Sequence, residues 1–182
     1  SPSLGTIDDC PFNDLPDDQF YEELSEEILE EVLEEIKDSG EKVLFIMDDV
    51  VNDMKKDVRL ERLLSKVLMN RRHQCGSGGS LSVWITTQVY NKVPLPVRKC
   101  ASHLILYETK NRKELDSMYD EVIVGLTKPE WYQLLKYVWS KKFNFLYLDT
   151  GNAFNKMYHK NFNPLELHTK MDEMTDLLPD EK

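Results

Sequence analysis

Two adjacent carboxylates, Asp48 and Asp49, close a short apolar run that begins at Val43. A run of this length without alternation suits a strand buried on both faces of a parallel sheet. Ionised carboxylates at the end of such a strand are costly unless something pairs with them. A hard divalent cation offsets that cost, and magnesium takes carboxylates, waters and phosphate oxygens as ligands. Asp48 would then hold the metal, through water. Asp49 would orient or activate an attacking water as a general base. The structural alternative is a helix cap, since aspartate is common where a strand gives way to a helix.

A second apolar run, Leu81–Thr87, leads into Gln88. A neutral amide at a strand end can bond both a γ-phosphate and a water, which is the work of a sensor in nucleotide hydrolysis. Thr86 and Thr87 stand beside it, and Thr87 with Gln88 forms the candidate nucleotide contact. The alternative is a polar strand end entering a turn. Arg71, Arg72 and Arg98 are the candidate cations. Arginine neutralises charge on a transferring phosphoryl group, often from a neighbouring subunit, and also contacts DNA phosphates without reading sequence. Equally, Arg71 and Arg72 would suit the C-terminal end of a helix as capping charge. His73, His103, His159 and His168 share no ligand spacing, so no zinc site is expected. The local sequence suggests no Ser-His-Asp or Cys-His set.

Positioning these residues requires a series of alternating elements. After an irregular lead-in with Pro2, Pro11 and Pro16, Asp17 or Asp18 can cap a helix. Phe20, Leu24, Ile28, Val32 and Ile36 recur at steps of four, with glutamates on the other face. This predicts one amphipathic helix of about five turns, ended by Ser39-Gly40. Helices are also expected over Val58–Asn70, Val97–Ala101, Arg112–Val122 and Lys128–Lys142. The last has Pro129 in its first turn. His103–Tyr107 reads as a third strand. Phe143–Leu148 and Phe154–Tyr158 flank Gly151-Asn152 as a hairpin. Gln74–Ser80 reads as a flexible glycine-rich loop. The strand–helix–strand–helix–strand order predicts an α/β fold with a mostly parallel sheet, whose ligands sit at the carboxyl ends of the strands.

The net charge of -10 is unevenly spread over the 182 residues. Residues 1–57 hold 19 acidic and 4 basic side chains, and residues 58–160 hold 8 acidic and 17 basic. The middle can meet a polyanion, or it can be neutralised by the acidic helix packed beside it. Cys10, Cys75 and Cys100 are far apart and odd in number, which suits a reduced, intracellular protein. No apolar run reaches the roughly 18 residues of a membrane span, and no signal peptide is visible. The chain also lacks an initiator Met and reads as a fragment.

Taken in order, several of these features resemble one family. They are the strand ending in Asp48-Asp49, the helix ending in Arg72-His73, the strand running into Gln88, the Pro-containing segment Val93–Arg98 and the strand His103–Tyr107. The hairpin at Phe145–Asp149, with Tyr158 and Phe162 downstream, adds to the likeness. The set is similar to the poxvirus-type genome-packaging ATPases of large DNA viruses, in the FtsK–HerA superfamily, over about residues 40–162. The resemblance implies the C-terminal part of a RecA-like P-loop NTPase core with a C-terminal β-hairpin. Residues 1–41 form an acidic lead-in and helix, residues 42–162 part of the core, and residues 163–182 an acidic tail.

The implied activity is ATP hydrolysis coupled to moving double-stranded DNA into a capsid. The implied cofactors are ATP and Mg2+. The implied partners are DNA, capsid proteins and further copies in a ring of five or six. The implied place is the host-cell cytoplasm, a viral factory or the virion. Asp48 resembles the magnesium ligand, Asp49 the catalytic carboxylate and Gln88 the sensor. Arg71, Arg72 or Arg98 would act across the subunit boundary.

The departure from the family is its Walker A loop, G-x-x-x-x-G-K-[ST], whose amides and lysine cradle phosphates. None of the seven glycines here is followed by Lys and then Ser or Thr. The first strand, phosphate loop and first helix are therefore absent or supplied by residues outside this chain, which alone should hydrolyse little. The competing expectation is a non-catalytic assembly or DNA-binding module. A metal-dependent nuclease would need further acidic ligands that are not evident.

Overall fold

Ser25, not Asp17 or Asp18, starts the first helix. In the computed structural model, which describes Phe12 and residues 14–167, Asp17–Gln19 form only a short 3-10 turn and Phe20 is extended. Helix α1 spans Glu26–Ile36, with the Ser25 hydroxyl accepting from the Ile28 amide at 3.2 Å. The five-turn expectation is therefore corrected to about three turns. A side-chain cap followed by Glu26 and Glu27 in the first turn is a stronger start signal than the apolar spacing that runs on upstream of it. Most of the lead-in, and the acidic stretch from residue 168 with His168, lie outside the described residues.

The chain divides into two compact units, Ser1–Cys100 and Ala101–Lys182. In the first, strand β1 (Lys42–Asp48) is followed by helices α2 (Val51–Lys56) and α3 (Val58–Met69). Strand β2 (Ser80–Thr86) and the short helix α4 (Leu95–Arg98) come next. The two strands pair in parallel, from Lys42 against Ser80 to Asp48 against Thr86. Leu29 of α1, Met47, Val51 and Met54 close on Leu60, Leu64 and Leu68 of α3, with Val93 and Val97 beside them. The acidic helix thus belongs to the same core as the Asp48 strand.

The glycine-rich segment before β2 is a built turn rather than a loose linker. Cys75 is fully buried, and its carbonyl accepts from the Gly40 amide at 2.7 Å. A Cβ at Gly79 would lie 2.6 Å from the Cys75 Cβ, so only glycine fits there without displacement.

The second unit is an antiparallel sheet in the order β3 (His103–Tyr107), β4 (Phe145–Asp149), β5 (Tyr158–Lys160), β6 (Asn163–Pro164). Helices α5 (Arg112–Val122) and α6 (Lys128–Val138) lie between β3 and β4 in the chain. Thr127 and Glu130 form a capping box at the start of α6. The hairpin is found, with its second strand later than expected: Phe154–Lys156 is a 3-10 turn.

Among the described residues the fold is α/β, but its parallel part has two strands and its antiparallel part four. The expected mostly parallel sheet is corrected at β3, which pairs antiparallel with β4. Leu104 and Leu106 are turned inward while His103, Ile105 and Tyr107 are exposed. That alternation is the signature of a strand with one covered face, and it is hidden in the sequence because the outward residues are themselves apolar or aromatic.

Candidate functional site

The parallel register sets Asp48 opposite Thr86 at the carboxyl ends of β1 and β2. The Thr86 hydroxyl donates to Asp48 Oδ1. Asp49 then leaves the strand with φ of 53°, in the left-handed region that aspartate tolerates better than most residues. Its amide donates to the Thr86 carbonyl at 3.2 Å. Asp48 is half-buried and Asp49 exposed.

Neither aspartate stands at a capping position. The N-cap of α2 is Val50, and the side-chain cap nearby is Asp57, which accepts from the amides of Arg59 and Leu60 at 2.8 and 3.4 Å.

Alternation along the strands places Leu44, Ile46 and Asp48 on one face with Ser82, Trp84 and Thr86. Leu44 is 47% exposed and Trp84 62%. Phe45, Met47, Val83 and Ile85 occupy the other face, against the helices. The Asp48 carboxylate therefore sits at the upper rim of an uncovered apolar surface.

The other sequence candidates are distributed unevenly. Thr87 follows β2, but its hydroxyl is engaged in a local turn, donating to the Val89 carbonyl and accepting from the Val89 amide, both at 3.2 Å. Gln88 is exposed in the bend that follows. Arg98 packs its guanidinium 4.7 Å from the Tyr90 ring centroid and donates to Asn91 Oδ1 at 3.2 Å.

Arg71 and Arg72 fall in a 3-10 turn, Arg71–His73, directly after α3. Arg71 Nη1 donates to the Leu68 carbonyl at 3.4 Å, in the last turn of α3. His73 and Gln74 share a shallow cleft with Asp38, just ahead of β1. This turn therefore lies at the amino ends of the strands. Seven strand residues span about 20 Å, so the chain does not bring Arg71 or Arg72 to its own Asp48.

The donors at the strand ends are all oxygen, which suits a hard cation. Among the described residues no three His, Cys, Asp or Glu side chains gather as a cation cage. A cation here would be held by one or two carboxylates, with waters and a ligand's oxygens completing its shell, and that is the coordination magnesium favours. A phosphate cradle is not built beside them. Gly40, Gly76, Gly78 and Gly79 are at the opposite end of the strands, and none begins a Walker A sequence.

The sequence put Thr86 among the ligand-facing strand ends but did not show its bond to Asp48, because that contact depends on strand register. It also missed a cluster of rings on the exposed side of the second unit's sheet. There His103 stacks on Tyr147 at 5.8 Å, and Phe162 meets Phe145 and Tyr147 edge-on at 5.1 and 5.6 Å. In β3 and β4 these residues alternate with Leu104, Leu106, Leu146 and Leu148, but their own apolar or aromatic character hides the exposed face in the sequence. Compared with family models, curated proteins and solved structures, the chain matches none.

Proposed function

We propose that this chain is the C-terminal part of a RecA-like ATPase core that drives double-stranded DNA into a viral capsid, its magnesium held at Asp48. One observation carries the proposal: a parallel pair of apolar strands ends with Asp48, Asp49 and Thr86 bonded together and Gln88 in the next bend. The ordered resemblance to the poxvirus-type packaging ATPases supports it. So does the uncovered face around Trp84, which is what a core without its first strand, phosphate loop and first helix would present. Parallel sheets are ordinarily covered on both faces.

A magnesium ion would be held here by Asp48, and the chemistry it would supply is neutralisation of charge on a bound phosphate. In this reading Asp48 would supply the carboxylate for it, and Asp49 and Gln88 would align a water. The position of Arg71 and Arg72 fits action on a neighbouring subunit's site rather than on their own, in a ring of five or six copies. ATP itself finds no cradle among these residues, and no phosphate contact is assigned.

The test is extension. A longer chain carrying a Walker A segment upstream of Ser1 should bind and hydrolyse ATP in the presence of magnesium, where this chain alone hydrolyses little. An extended chain that folds yet neither binds nor hydrolyses ATP would overturn the proposal.

A second proposal, a non-catalytic assembly or DNA-binding module, is favoured by the ring cluster around Tyr147. It predicts that double-stranded DNA binding, where present, survives Asp48→Asn and Asp49→Asn together and needs no nucleotide.

A further inference from the structure

We infer that Thr86 is the positioning residue for both carboxylates of the candidate magnesium site; this rests on the proposal that Asp48 holds the metal. Two separate bonds converge on this one residue from the neighbouring strand. Its hydroxyl donates to Asp48 Oδ1. Its carbonyl accepts from the Asp49 amide at 3.2 Å, where the backbone has turned to φ of 53°.

The two bonds do different work. Asp48 lies on the uncovered face of the sheet, and the Thr86 hydroxyl bonded to Oδ1 helps to set the plane of its carboxylate. Outer partners of this kind orient metal-binding carboxylates and raise the affinity of a site. The carbonyl bond holds Asp49 in a conformation that most residues avoid. It stops Asp49 from continuing the strand, where its side chain would turn to the opposite, core-facing side. The parallel register of the strands thus brings one Thr86 bond to the Asp48 carboxylate and another to the Asp49 backbone at the same strand end.

Only the hydroxyl is removed by Thr86→Val, which keeps the branched shape and the backbone carbonyl. Thr86→Ser keeps the hydroxyl. Mn2+ serves as the probe, titrated into the 15N-labelled full chain, with paramagnetic broadening read at the amides around residues 48, 49 and 86. The unfolding midpoint of each variant is measured in parallel.

The wild type should show saturable broadening that is strongest at these amides and falls off with distance from them. Thr86→Val should weaken it by about tenfold or more with the midpoint little changed, Thr86→Ser should restore it, and Asp48→Asn should abolish it. Broadening lost in Asp48→Asn but kept at wild-type affinity in Thr86→Val would overturn the role of Thr86 alone. Broadening absent from the wild type, or unchanged in Asp48→Asn, would overturn the metal assignment and the role of Thr86 with it.

Discussion

Tyr158 shows how much a single side chain contributes to the second unit. It is fully buried, and its hydroxyl donates to the Val124 carbonyl at 2.9 Å. Burial pushes the phenol up to about 12 from its ordinary 10.0. A folded value above the unfolded one means that the stability this group contributes is whole below pH 10. It is lost as pH rises through about 12. The thermal midpoint should therefore fall over that window, and fall less steeply in Tyr158→Phe. At neutral pH the same variant should lose about 1 kcal/mol for its missing hydrogen bond, read by urea unfolding. An identical alkaline fall in both proteins would contradict the assignment. At this scale Asp48 and Asp49 were legible in the sequence, because paired charge beside an apolar run is a local signal. The bond from Thr86 was not, since Asp48 lies 38 residues away and only the register joins them. The Arg98 contacts with Tyr90 and Asn91 were hidden for a related reason, as they depend on how the turn before α4 folds back.

Elements were read best where their local chemistry and their packing agree. Arg112–Val122 was expected and found with the same bounds, and Asn111 accepts from the Lys113 amide at its start. Helix α1 was overextended because the apolar spacing continues upstream of the residue that caps it. Ser25→Ala removes that cap and should cost about 1 kcal/mol, measured by chemical denaturation. Asp18→Ala should leave stability within about 0.5 kcal/mol, as an exposed change away from any cap or core contact. A reversal of these two effects would place the helix start where the spacing alone had put it. Strand β3 was located correctly, but it pairs antiparallel where a parallel sheet was expected. His103, Ile105 and Tyr107 can serve a doubly covered strand or one with an open face, and only pairing with Phe145–Asp149 decides between them. Helix α2 was not expected at all. Its six residues are too few to show a helical period, and it is held through Val51 and Met54 in the core beneath β1.

For the whole molecule, the alternating order of strands and helices predicted the α/β class, and no helix among the described residues is long and apolar enough to cross a membrane. The division at Cys100 was not expected, since residues 42–162 were read as one core. Charge is the property at this scale that bears on a polyanion. The acidic excess lies before residue 58 and after residue 160, and the basic excess between residues 58 and 160. If the basic side chains meet DNA phosphates, log affinity for double-stranded DNA should fall linearly with log salt, by at least about tenfold between 50 and 200 mM. A flat response would remove the phosphate contacts from the proposal.

The most direct test of the central claim is ATP turnover by an extended chain that carries the phosphate loop, compared before and after Asp49→Asn. The amide keeps the shape of the side chain and removes its charge and its basicity. ATP binding should persist, while magnesium-dependent turnover should fall by about 100-fold or more, as expected when a group that orients or deprotonates the attacking water is lost. Turnover equal to that of the unsubstituted chain would show that the strand ending in Asp48-Asp49 does not carry the catalytic carboxylate.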